Sequence, residues 1–299
     1  MESDKKYSYI NSKVGLLNYS ILQLNSMSDY LVTASIVLYK HNEKAQKAIN
    51  SFLKTNKPIH LFLIDNSPDD SFIHSNSQFQ NNSRVTYIFN NKNIGYGSAH
   101  NIALRKIINL SNYHIVLNPD IEFDSLALEK CINYLDQNIN IGLLMPKVLY
   151  PNGDIQYLCK MLNSPFDLIV RRFIPDFLRK IFEKKLEHYE LKHKDYNQIM
   201  EVPNLSGCFM LMRCEALKTV GLFDEKFFMY LEDTDLCRRI NQQYQTIYYP
   251  EVSIIHHYEK GSYKNYKLLM YHIRSAFYFF SKWGWFFDSG RRTINSLLK

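Results

Sequence analysis

Several clusters of acids, amides and histidines in this 299-residue chain stand at or beside short apolar runs, where a folded sheet would expose them. The first is Leu63-Ile64-Asp65-Asn66-Ser67. An acid ending an apolar run can accept hydrogen bonds from a nucleoside base or ribose, or it can close a turn. The second runs from Asn90 to Asn101 and carries Asn93, Gly95 and Gly97 ahead of a helix. Glycine lets backbone approach a ligand, and a helix N-terminus offers free N–H groups to phosphate. The third is Leu117-Asn118-Pro119-Asp120. Its carboxylate suits a divalent cation that neutralises a diphosphate, and the same tripeptide is an ordinary turn signal.

The fourth cluster, Tyr230-Leu231-Glu232-Asp233-Thr234-Asp235, places three acids at the start of a helix. The macrodipole alone favours them there. A carboxylate beside an apolar segment can also be a partly desolvated general base. Their spacing puts Glu232 and Asp235 on one helical side and Asp233 on another. The fifth, Ile254-Ile255-His256-His257-Tyr258, ends an apolar run. Neutral imidazole ligates metals, and successive strand residues point to opposite faces, so at most one of the two histidines faces a site. A lone histidine there reads as structural; taken together with Asp120, His256 is also a candidate metal ligand.

Positioning these residues requires alternating strands and helices. Strands are expected at Leu31–Leu38, Ile59–Ile64, Val85–Phe89 and His114–Leu117, with helices at Asn42–Leu53 and about Ser98–Ile108. That order specifies an α/β chain with a parallel sheet and crossover helices, whose ligands lie beyond the carboxyl ends of the strands. The residues there are Tyr39, Asp65, Asn90 to Tyr96 and Asn118 to Asp120. Further on, strands are expected at Gly142–Tyr150, Leu205–Met212 and Val252–His256, and helices at Asp233–Asn241 and Tyr266–Lys282. A basic, aromatic helical insertion is expected over Phe166–His193, and residues 1–30 read as an appended arm.

Composition narrows the classes. Five scattered cysteines without a CxxC pair exclude a zinc ribbon and a disulfide framework. No ordinary signal peptide and no run of roughly 18 uncharged apolar residues is present, so a cytoplasmic protein is expected, soluble or peripheral on the inner face of the membrane. The net charge of +7 asks for an anionic partner. No nucleic-acid module is apparent. The stretch Asp167–Lys185, with Arg171, Arg172, Arg179 and Lys180, suits an anionic membrane surface and equally a core helix with a basic face.

The five clusters, in this order, together with Ser206-Gly207, resemble family 2 glycosyltransferases, most closely the rhamnosyltransferase-like branch of O-antigen and capsule assembly. The resemblance covers about Leu31 to Lys282. It implies a GT-A fold, with a Rossmann-like, mostly parallel sheet flanked by helices and a C-terminal acceptor-side helical region. Residues 31–120 would be the nucleotide-sugar-binding half of one 31–299 domain, and 121–299 the acceptor-binding and catalytic half. By position, Asp65 would contact base or ribose, with Tyr39 and Asn42 nearby, and Asn93, Gly95, Asn101 and Asn118 would line the donor site. Asp120 and His256 would hold Mg²⁺ or Mn²⁺, and Asp233 would be the base, with Glu232 as the alternative. Asn118 departs from the Asp-x-Asp of many members, which bears on how tightly a metal is held. The implied reaction is inverting transfer of a sugar from a nucleotide-diphosphate donor, rhamnose from dTDP-rhamnose first among candidates. The implied acceptor is a surface polysaccharide or a lipid-diphosphate-linked saccharide. A nucleotidyltransferase would need a Gly-rich, cation-bearing loop that Ser35–Glu43 lacks. A non-catalytic nucleotide-sugar or glycan binder would have no need to keep Asp120, Asp233 and His256 together.

Overall fold

The apolar runs form strands buried on both faces, the pattern of interior parallel strands. The computed structural model describes residues 30–40, 43–168, 176–258, 266–296 and 298. Strand β1 (Tyr30–Leu38) is followed by α1 (Glu43–Leu53) and β2 (Ile59–Asp65), then by short helices α2 (Ser71–Ser75) and α3 (Ser77–Gln80). Next come β3 (Val85–Phe89), α4 (Tyr96–Ile107) and β4 (Ser111–Leu117). β1 pairs in parallel with β2 and β4, and β2 with β3, giving the order β3-β2-β1-β4. Tyr30, expected within the arm, opens β1 and pairs with Ser111, while residues 1–29 lie outside the described residues.

The remaining elements are β5 (Ile121–Glu122), α5 (Ser125–Gln137), β6 (Ile141–Leu149), α6 (Asp176–Tyr189), β7 (Met200–Glu201) and β8 (Phe209–Arg213). They end with α7 (Cys214–Val220), α8 (Glu232–Asn241), β9 (Gln245–His256), α9 (Tyr266–Trp283) and α10 (Ser289–Ser296). They extend the sheet to β3-β2-β1-β4-β8-β6-β9-β5, with β7 also on β9. β8 runs antiparallel between β4 and β6, after which β6 and β9 are again parallel. β9 starts well before the expected Val252. Pro250 interrupts its apolar pattern, and the register against β6 slips between Pro146 and Lys147.

Helix α4 lays Ala99, Ala103, Leu104 and Ile107 against this sheet. A buried polar chain also joins the two. Thr33 Oγ1 donates to Tyr113 O and stands 2.8 Å from His114 Nδ1. Ser35 Oγ lies 2.8 Å from His114 Nε2 and 2.6 Å from His100 Nδ1. One arrangement of protons satisfies these contacts with both imidazoles neutral: Nδ1–H on each ring, and the Ser35 hydroxyl donating to His114. A separate apolar cluster of Leu168, Phe227, Leu231, Phe279 and Phe280 packs α9 against the segment that precedes α8.

Candidate active site

Helix α8 begins directly after two consecutive non-glycine residues in the left-handed region, Tyr230 (φ 71°) and Leu231 (φ 66°). Such backbone persists only where its surroundings over-determine it. Here Leu231 is buried against Phe279 and Phe280, and Ser275 Oγ donates to Met229 O at 2.8 Å. The result is that the adjacent acids Glu232 and Asp233 both line one cleft of about 790 Å³. This corrects the spacing argument that grouped Glu232 with Asp235. Asp235 is fully buried outside the cleft lining, where Trp283 Nε1 (2.8 Å) and Arg239 Nε (2.9 Å) donate to it.

The two cleft acids differ in environment. Asp233 Oδ2 accepts from Gly207 N at 2.9 Å and Oδ1 from Thr234 N at 2.7 Å. Glu232 is buried, its Oε2 makes no hydrogen bond, and burial followed by the charge of Asp233 pushes its carboxyl up to about 8. Glu232 therefore keeps its proton through neutral pH. Beside them the Tyr96 hydroxyl shares its one proton between two acceptors, Asn118 Oδ1 at 2.9 Å and Gly207 O at 2.8 Å. Burial, then the nearby acids led by Glu232, hold that phenol well above its usual range.

At the same cleft, antiparallel pairing of Ile121 with His256 brings Asp120 beside the histidine. Gln156 Nε2 donates to His256 O at 2.9 Å, so its Oε1 faces His256 Nδ1, also at 2.9 Å, and accepts that proton. The bare nitrogen is then Nε2, buried, making no hydrogen bond and lying 3.3 Å from Asp120 Oδ1. Two neighbouring ligands of an octahedral ion at about 2.1 Å stand roughly 3 Å apart, so this pair fits one divalent cation. Among the described residues no cluster of three such ligands occurs. His257 turns the other way and meets Glu122 Oε2 at 3.1 Å.

The expected donor residues lie at the carboxyl ends of β1 to β3. Tyr39 is exposed there, and Asn42 lies outside the described residues. Asp65 is fully buried. Its Oδ1 accepts from Ser67 N and its Oδ2 from the Tyr87 hydroxyl, each at 2.8 Å, which is the turn-closing arrangement. Asn93 Oδ1 accepts from Gly95 N at 3.0 Å, and Asn66 Nδ2 donates to Gly95 O at 3.1 Å. Gly95 has φ 94°, and a Cβ there would overlap the Phe228 carbonyl oxygen. Its use is to let this loop meet the segment before α8, where Tyr96 N donates to Phe228 O at 2.9 Å. Asn101, expected in the donor pocket, is buried in another contact. Its Nδ2 donates to Phe223 O and Glu225 Oε1, and its Oδ1 accepts from Phe223 N. It braces the 223–225 loop. Asn118 lines the cleft through its bond to Tyr96.

The far wall of the cleft comes from α6, through Glu183, Leu186 and Glu187, and from Glu190 just after it, with the part-exposed Tyr157 and Tyr258 also lining it. This is the helical insertion that the sequence offers as a membrane or core segment. Residues 169–175, including Arg171 and Arg172, lie outside the described residues.

The model of the family described as glycosyl transferase family 2 matches residues 34–221, a span that contains Asp120 and Gly207. The chain belongs to glycosyl transferase family 2. This family member is 25% identical over 181 residues to the N-acetylglucosaminyl-diphospho-decaprenol L-rhamnosyltransferase of Mycobacterium tuberculosis, over 55% of this chain and 56% of that protein. The chain thus spans little more than half of that relative. It is 27% identical over 202 residues to rhamnosyltransferase WbbL of Escherichia coli K12, over 63% and 70% of the two chains. Among solved structures it resembles GalNAc-T7 with UDP, GalNAc and Mn²⁺, with TM-score 0.59 and 15% identity over 76% of this chain and 43% of that one. It also resembles the mannosyltransferase PcManGT from Pyrobaculum calidifontis with GDP-Man and Mn²⁺, with TM-score 0.53 and 15% identity over 83% and 66%. These likenesses establish the GT-A fold for this family 2 sheet.

Proposed function

We propose that this chain is an inverting glycosyltransferase that moves a sugar from a nucleotide-diphosphate donor to a saccharide hydroxyl. The observation that carries the reading is the bare Nε2 of His256, 3.3 Å from Asp120, on the cleft that also holds Asp233. Asp120 and His256 would hold Mg²⁺ or Mn²⁺, which when bound neutralises charge on the donor diphosphate. Asp233 is the base. It takes the acceptor proton as the hydroxyl oxygen attacks the anomeric carbon from the face opposite the nucleotide. Gly207 N and Thr234 N hold the carboxylate in place. Glu232 is the weaker candidate, because it retains its own proton at neutral pH; its place is to donate a hydrogen bond to the acceptor.

The names of the two relatives support rhamnose as the sugar; the dTDP donor rests on the family resemblance of the sequence alone. The first relative's name also supports a lipid-diphosphate-linked acceptor. The part-exposed tyrosines lining the cleft suit a saccharide. A thermal-shift screen against dTDP-, UDP- and GDP-sugars, with and without Mn²⁺, tests the donor site. A metal-dependent rise with one nucleotide is expected. Asp233→Asn should keep that rise and lose transfer by roughly 10³-fold or more. Loss of both together would remove Asp233 from the role of base.

A further inference from the structure

Helix α9 serves two surfaces at once. Inward, Phe279 and Phe280 pack on Phe227 and Leu231, and His272 lines the cleft. Outward, Tyr266, Met270, Ile273 and Phe277 recur at the spacing of a single helical stripe, and all four are exposed, Tyr266 by 74% and Phe277 by 63%. A helix on a water-facing surface carries polar residues there. The stripe continues beyond the helix, because the Phe277 ring meets Trp285 with centroids 5.3 Å apart. The same turn presents Phe286 and Phe287, 72% and 90% exposed.

This display is built into the fold. Gly284 turns the chain at φ 102°, with no room for a side chain beside Phe287 O. Just after the aromatics, Asp288 is buried and held by both terminal nitrogens of Arg238 on α8, at 2.6 and 2.7 Å. The turn is therefore pinned to the helix that carries Asp233. Its charge is one-sided as well. From Tyr266 onward the sequence has six cations and one acid, the buried Asp288; Lys282 is paired with Asp224 and Asp235 and Arg291 is buried on Asp288, which leaves Lys267, Arg274 and Arg292 as the exposed cations among the described residues. Lys267 and Arg274, seven residues apart, run along one edge of the apolar stripe.

We propose that the outward face of α9 and the 285–287 turn dock on an anionic phospholipid surface. Aromatic side chains enter the headgroup boundary while the flanking cations meet lipid phosphates. A second copy of the chain fits worse, since a two-fold contact would set the same cations against each other without an exposed acid from this segment between them. Among the described residues no helix is long and apolar enough to cross a membrane, so the contact is interfacial. With His272 on the cleft side of the same helix, docking sets the cleft mouth near the bilayer. That purpose rests on the proposed lipid-linked acceptor, but docking itself does not.

Sedimentation with vesicles of phosphatidylcholine, alone or mixed with phosphatidylglycerol, tests it without any sugar present. The full chain should sediment with the mixed vesicles. Phe286→Ser with Phe287→Ser should cut the bound fraction about tenfold or more, with an unchanged melting temperature because both side chains are exposed. Arg274→Glu with Arg292→Glu should weaken binding to the mixed vesicles and leave any binding to the neutral ones as it was. Arg179→Glu with Lys180→Glu on α6 should change neither. The proposal fails if the full chain stays in the supernatant, if the phenylalanine pair is without effect, or if only the α6 pair abolishes binding. It also fails if light scattering shows a dimer that the phenylalanine substitutions dissociate.

Discussion

At the scale of single residues, the proposed role of His256 as a metal ligand depends as much on the group behind the ring as on the imidazole itself. Gln156 uses its amide nitrogen on backbone carbonyls, and its remaining oxygen fixes the proton of His256 on Nδ1. Gln156→Leu removes that acceptor and frees the ring to take the other tautomer. The metal concentration needed for half of the nucleotide-dependent thermal shift should then rise roughly 10- to 100-fold. A titration indistinguishable from the unsubstituted protein would show that the tautomer is not under Gln156's control. The sequence singles out Asp120, Asp233 and His256 because acids and imidazoles ending apolar runs are chemically conspicuous, and the fold sets Asp120 beside His256 and places His256 and Asp233 on one cleft. Gln156 was not legible there, since it follows an ordinary turn and acts only through a residue 100 positions away. Asn101 misled for the converse reason: an amide in a glycine-bearing loop reads as a ligand contact, and only the fold shows it spent on Phe223 and Glu225.

At the scale of elements, two loops meet backbone to backbone at Gly95, which couples the donor side of the sheet to the acids of α8. Gly95→Ala introduces both an unfavourable φ and an overlap with Phe228 O. It should cost about 2 kcal/mol or more and depress transfer, because Tyr96 N and Phe228 O must separate. Gly153→Ala is the control: it shares a positive φ of 90° but meets nothing within 4 Å, so it should cost about 1 kcal/mol and leave transfer intact. Equal losses in melting temperature would show that φ alone, not the close approach, sets the demand at Gly95. Periodicity specified β1 to β3 and α9 to within a residue or two. It passed over α5, although Ala127, Leu128, Cys131, Ile132 and Leu135 make a legible stripe. The antiparallel direction of β8 had no local signal, because a strand's own residues do not encode its sense. The two-residue strands β5 and β7 exist only through their pairing with β9. One of those pairings brings Asp120 beside His256.

At the scale of the whole molecule, buried ionisable groups set opposing slopes of stability with pH. Burial lowers His60 to about 4 and His114 to about 3, and holds His100 well below its usual value, with His114 adding to the effect on His100. Between about pH 6.5 and 4.5 the unfolded chain therefore binds three protons that the folded chain refuses, so acidification destabilises. Glu232 acts in the other sense. Raised to about 8, it keeps a proton that the unfolded chain releases above about 4.5, so its contribution falls as pH rises through that interval. Below 6.5 the buried histidines outweigh Glu232, so the net effect of acidification is a loss of stability. Above 6.5 Glu232 sets the direction among the described residues, and stability declines as pH rises. Carboxylates held low by their partners, such as Asp224 with Lys282 and Asp288 with Arg238, add to the loss only below about pH 4.5. Melting temperature should thus peak near pH 6.5, and Glu232→Gln, which mimics the protonated side chain, should flatten the decline on the alkaline side while leaving the acid limb in place. A melting temperature that keeps rising to pH 8, or an alkaline decline that survives the substitution, would show that Glu232 does not hold its proton in the folded cleft, and with that the assignment of the base to Asp233 would lose its main support.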